Sequence, residues 1–322
     1  MLARTTPRRR RAGSIAAVES QPTRTDADAA GRAVLVATLA VVLAAFCWGL
    51  NAVIAKGAFE AGIAPARLAE ARTLVGGAPL IAYLALRRRD LLLPPRAAVV
   101  PIILFGLGLV AINFAFYTAI DRVPVGVALS LQYTAPVLVL VGVALVARRS
   151  PGGVVWLAAL LTLLGATLVS GAFEGLRNLD GLGVTAGVAS AIFFGVYLLS
   201  AQAAARRGAH PATALAGAFA VASIAWGIVL PWWGWPVGRL AEPEIALRVL
   251  GVGLVGTLFP FLLVVNALRH LPAAVAGIAA TTEPVFATAL AWLLLSQSLG
   301  VPQLLGGGLV VGGVVLAQFA QR

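Results

Sequence analysis

Glu283 is the residue that asks most of its surroundings. It lies midway along an apolar run, in Thr281-Thr282-Glu283-Pro284. A charged side chain deep in a bilayer costs about 2.5–3.5 kcal/mol on insertion scales, so it needs a partner and marks a functional position by default. Its carboxylate can hold a substrate ammonium, carry a proton, or act as the buried counter-ion of Arg72 or Lys56. Arg72, also inside an apolar run, can contact an anionic substrate or balance Glu283. Trp48 and Asn51 are three apart and share a helix face, as do Asn113 and Tyr117 at four apart. An aromatic face beside amide groups suits a zwitterionic or apolar-tailed metabolite. The same residue types also serve as packing and as interhelical glue. Gln132-Tyr133-Thr134 forms a second polar stretch. Tyr197, Gln202 and Asn266 are further candidates to line a site.

Other chemistries find no residues to carry them. One cysteine, Cys47, and two histidines, His210 and His270, leave neither a disulfide framework nor a Cys/His metal site. There is no HExxH and no phosphate-binding loop, and no aspartate falls inside an apolar run. An enzyme, a bound cofactor and an ATP motor are therefore not expected. Transport, if that is the activity, is facilitated, exchange-based or ion-coupled.

The elements that must position these residues are membrane helices. Of 322 residues, 60% are apolar and 11% charged, with a mean hydropathy of +0.96. A soluble domain runs at roughly 45–50% and about 25%. A span needs about 20 mostly apolar residues. Ten segments qualify: 33–55, 66–86, 97–118, 124–147, 152–172, 182–204, 212–234, 245–268, 272–295 and 301–320. Residues 1–32 differ in kind, being polar and arginine-rich, with Arg8 to Arg11 in a row. They read as a disordered cytoplasmic arm resting on anionic lipid.

Charge sets the orientation. Of 24 Lys and Arg, 17 fall in the arm, the even-numbered links and the C-terminus, and six fall on the opposite side. Both termini are thus expected in the cytoplasm. The net charge of +12 reads as a topology signal plus lipid contact, and nucleic acid is not an expected partner. Lys56 closes span one and can snorkel outward. Glu70 reads as a solvated residue at the outer end of span two, and Trp232-Trp233-Gly234-Trp235 as an interfacial anchor. Gly308 to Gly312 form a GxxxG suited to close helix approach.

Shifting the chain by 148 residues lays Ala119–Leu145 over Ala267–Leu293 and pairs Pro124 with Pro272 and Pro136 with Pro284. Each half, 33–173 and 181–320, then holds five spans. An odd number inserts the second half upside down, the inverted-repeat architecture of transporters. Pro136 and Pro284 are expected to kink spans four and nine. A mid-helix proline cannot donate to the carbonyl four residues earlier, here Gln132 and Ala280.

At this point the chain resembles the EamA-type drug/metabolite transporter family across residues 33–320. Phe46-Cys47-Trp48-Gly49-Leu50-Asn51 through Lys56 is similar to the W-G-x-N-x-x-x-x-K opening of the family's first span. Arg72 occupies the arginine position of its second. Gln132-Tyr133-Thr134-Ala135-Pro136 and Thr282-Glu283-Pro284-Val285-Phe286-Ala287 look like its two polar-proline segments. Where the family often ends spans four and nine with Gly-Glu, this chain has Arg148-Arg149 and Ser296-Gln297. The resemblance implies a plasma-membrane exporter or facilitator of amino acids or similar metabolites. The expected architecture is all-α and polytopic, with ten transmembrane helices as two inverted five-helix repeats. The expected state is a monomer or weak homodimer. A non-transporting membrane scaffold or lipid-handling subunit is the alternative.

Overall fold

A computed structural model describes residues 24–148, 150–175, 179–295 and 299–321, and among these there is no strand. Of the arm expected to be disordered over 1–32, residues 24–32 are instead helical and continuous with span one, while residues 1–23, Arg149, Arg177 and Ser296-Gln297 lie outside the described residues. In the first half the spans are Arg24–Glu60, Pro65–Arg87, Val99–Ile120, a fourth made of Val125–Gln132 and Ala135–Ala147, and Gly153–Val169. In the second half span six is Gly181–Arg206 and span seven Pro211–Val229. Span eight runs through Pro243–Gly253, Leu254–Leu258 and Phe259–Ala267. Span nine joins Ala273–Ala280 to Glu283–Leu295, and span ten is Val301–Phe319.

Eight of these segments are long and apolar enough to cross a membrane by length and composition. Gly153–Val169 is apolar but about 26 Å long at 1.5 Å per residue. Pro65–Arg87 is long enough but carries Arg67, Glu70 and Arg72. The proline residues place the ends. Pro65 and Pro211 open their helices at positions whose N–H needs no intrahelical acceptor.

Packing shows how the halves are related. Span three lies along span six, and span eight lies along span one. Span three also packs on seven, and eight on two. Four packs on six, and nine on one. Adding or subtracting five span numbers turns each contact into its mate, while the five–ten and two–seven contacts map onto themselves. This is the signature of a two-fold relation between five-helix repeats, and the odd count makes the relation an inversion.

Spans four and nine break at the same place in the repeat. Each is interrupted by a two-residue turn, Tyr133-Thr134 and Thr281-Thr282, so the two helical pieces of one span fall 148 residues from those of the other. A mid-helix kink was the expectation here; the chain breaks outright, and Pro136 and Pro284 each stand at the second position of a new helix. A proline in mid-helix would clash with the preceding turn, whereas the start of a helix accepts it. The turns are tightened by three-residue bonds, Thr134 N–H to Leu131 O at 3.1 Å and Thr282 N–H to Ala279 O at 3.2 Å.

Two expectations are corrected. Gly308 and Gly312 do not mediate close approach, for a Cβ at either would meet nothing within 4 Å. The face that packs carries Gly306 and Gly313. A Cβ on Gly306 would come within 2.6 Å of the Gly165 carbonyl of span five, and one on Gly165 within 2.6 Å of the Gly306 carbonyl. Gly306→Val is expected to cost about 1–3 kcal/mol through overpacking. Gly308→Val should be neutral, and thermal unfolding of the two detergent-solubilised variants compares them.

Glu70 is not solvated. Its side chain has 0% exposure at the N-terminal end of span two, where its partner Arg67 is also held by the segment after span seven. Arg67 Nη1 donates to Glu70 Oε2 at 2.9 Å and to the Pro231 carbonyl at 3.0 Å. Lys56, by contrast, reaches Glu60 at 4.0 Å with both side chains exposed.

Candidate functional site

Span eight supplies the frame of the site. Its middle turn, Leu254–Leu258, is a π-helix, one residue wider than an α-turn, and Thr257 Oγ1 donates to Val252 O, five residues back, at 2.7 Å. Such bulges are frequent at functional sites because they free backbone groups. Here the freed group is the Gly256 carbonyl. Arg72 Nη2 donates to it at 3.0 Å, and Arg72 Nε donates to Thr257 Oγ1 at 2.8 Å. Two fixed acceptors orient a planar guanidinium, and these bonds leave Nη1 for a further acceptor. Tyr117 of span three lies beside this guanidinium.

Gly256 also makes room for Asn51 of span one. A Cβ at 256 would stand 2.0 Å from Asn51 Oδ1, so only glycine fits. That oxygen is buried without a hydrogen-bond partner. One turn earlier, Trp48 packs edge-on against Phe261 at 5.6 Å. Phe261 makes a second edge contact, also at 5.6 Å, with Tyr197, which stacks with Phe194 and leans on Phe105. This cluster is the apolar floor of the site.

The carboxylate comes from the other break. Glu283 opens the second helix of span nine, half-buried, and the Tyr133 phenol from the break in span four lies against it. The Tyr133 hydroxyl is buried without completing a hydrogen bond of ordinary geometry. Arg72 and Glu283 act on one another electrostatically but do not approach to the 4 Å of an ion pair. A guanidinium held by span eight and a carboxylate on span nine, with buried unpaired polar atoms at Asn51 and Tyr133 beside them, can receive a molecule bearing both charges. A buried unpaired polar atom costs about 1–3 kcal/mol, which a ligand bond would recover.

The expected site residues therefore divide. Asn51, Arg72, Tyr117, Tyr133 and Glu283 converge, with Trp48 and Tyr197 beneath them. Asn113 instead donates to Leu109 O of its own helix at 2.7 Å. The Thr281 and Thr282 hydroxyls are buried and donate to Ile278 O at 2.6 Å and Ala279 O at 2.8 Å, sealing the break. Gln132 is half-buried at the end of its helix. Gln202 donates to Leu271 O at 2.8 Å, and Asn266 is exposed. Gly256 and Thr257 were not anticipated. Their sequence signal is a glycine and a proline, Gly256 and Pro260, interrupting a hydrophobic span.

The chain is similar to known membrane transporters. The chain is 29% identical to the threonine/homoserine exporter RhtA of Escherichia coli (strain K12) over 219 residues, which is 66% of this chain and 68% of that one. It is 25% identical to the inner membrane transporter YicL of Salmonella typhimurium (strain LT2) over 295 residues, covering 88% and 95% of the two chains. A solved crystal structure superposes with a TM-score of 0.70 at 22% identity, covering 87% of this chain and 96% of the other, and shares its fold. The model of the EamA-like transporter family matches twice, over residues 35–171 and 181–319, and with nearly the whole span region matched the chain belongs to that family.

Proposed function

We propose that this protein exports small amino acids or closely related zwitterionic metabolites across the plasma (inner) membrane. Its halves, 33–173 and 181–320, alternate to expose one central site to either side. The observation that carries the reading is the separation of charge at the centre. Arg72 is pinned by span eight through Thr257 and Gly256. Glu283 is backed by Tyr133, and the two charges stand apart. The substrate carboxylate takes Arg72 Nη1 and Tyr117, and its ammonium takes Glu283 and Asn51 Oδ1. Trp48 and Tyr197 close the apolar side. The similarity to threonine/homoserine exporters supports a substrate of this size and charge. Orientation with both termini cytoplasmic follows from the basic links.

The test is efflux of labelled threonine and homoserine from preloaded proteoliposomes holding the purified protein. Saturable efflux above empty vesicles, competed by other small α-amino acids, is the expected result. Release that does not saturate, or that equals the empty vesicles, overturns the reading. Cross-linking the outer or the inner ends of spans four and nine should each stop the flux.

A further inference from the structure

A second site lies away from the centre, at the face where span one begins and span ten ends, and it is independent of the transport reading. Two cavities adjoin there, of about 390 and 450 Å³, and both are lined by Arg269 and His270 of the eight–nine link. The first adds Arg32 at the polar end and Val36, Ala37 and Ala40 along its wall. The second adds Arg206 from the end of span six, with Gln202. Arg32, Arg206, Arg269 and His270 enter none of the ion pairs formed among the described residues. No carboxylate lines either cavity. Arginines drawn together with no counter-ion among the described residues favour an anion, and arginine forks match phosphate oxygens. The Val36-to-Ala40 wall extends from the charged end into the bilayer, alongside the lipid-facing Leu39 and Leu43. A charged mouth above an apolar wall has the polarity of a phospholipid at a membrane surface.

We propose that this crevice holds an anionic phospholipid, with its phosphate on Arg206, Arg269 and His270 and an acyl chain along Val36, Ala37 and Ala40. Arg32 stands four residues after Asp28 in sequence, so the test rests on Arg206 and Arg269. The full-length protein in neutral detergent is heated with added phosphatidylglycerol, phosphatidylcholine or inorganic phosphate. Saturating phosphatidylglycerol should raise Tm by roughly 5 °C, as expected for a ligand well above its Kd. The gain should vanish in Arg206→Gln/Arg269→Gln and survive when Arg8 to Arg11 are replaced by glutamine. Equal protection by phosphatidylcholine, or a gain retained by the double variant, overturns the proposal. So does loss of the gain with the arm arginines. An equal gain from inorganic phosphate replaces the lipid with a soluble anion and overturns it too.

Discussion

Glu283→Gln is expected to lower export about tenfold or more while leaving expression and thermal stability near the parent. Glutamine keeps the size of the side chain and its hydrogen bonding and removes only the charge. A hydrogen bond to a charged group contributes about 1.5–3 kcal/mol, and each 1.4 kcal/mol is a factor of ten. The geometry separates this from a merely neutralising role. Arg72 is already held by Thr257 Oγ1 and the Gly256 carbonyl, and Glu283 does not reach it as an ion pair. Losing the carboxylate should therefore not collapse span eight. Efflux from proteoliposomes at matched protein content makes the measurement. Flux at the parent rate would remove Glu283 from the site. A variant that fails to fold, but is recovered by Arg72→Gln, would make the pair structural.

The second large effect lies at the N-terminal end of span two. Arg67→Ala is expected to destabilise the protein by about 3–5 kcal/mol, because it leaves the Glu70 carboxylate buried without its cation. Glu70 has 0% exposure and Arg67 19%, so water replaces the lost partner poorly. The same change also releases the Pro231 carbonyl. Arg67→Ala/Glu70→Gln should regain most of the loss, since the remaining amide carries no charge to desolvate. Comparing Tm and folded yield of the single and double variants checks this. Equal losses in both would assign the effect to the Pro231 bond alone.

The spans were legible because length and apolar character determine what can cross a bilayer, whatever the neighbouring helices do. The repeat was legible because proline acts through the local backbone, and Pro136 and Pro284 act at equal distance from their helix breaks. Arg72 and Glu283 were legible because charges in apolar runs are rare. What stayed hidden depends on folding at long range. Glu70 is buried beside Arg67, which is itself held by the Pro231 carbonyl over 160 residues away. The π-turn at Leu254–Leu258 leaves only Gly256 and Pro260 as its signal in a glycine-rich chain, and Thr257 reads as one polar residue among many. The GxxxG pattern was misleading because spacing gives a shared face but not its direction: the packed face of span ten runs through Gly306 and Gly313.

The paired breaks carry a consequence for how the two halves have diverged. Residue for residue, Tyr133 corresponds to Thr281 and Glu283 to Ala135. Duplication would have supplied two equivalent bends, yet only one copy carries the acid and only the other carries the phenol. Shape has been retained twice, and chemistry has been retained once at each position. Neither half can stand in for the other: a chain built from two first halves would bend correctly around a centre with no carboxylate, and one built from two second halves would have two carboxylates and no phenol at the breaks. Symmetry of the scaffold thus coexists with a handed interior, its acid and its phenol each carried by a different half.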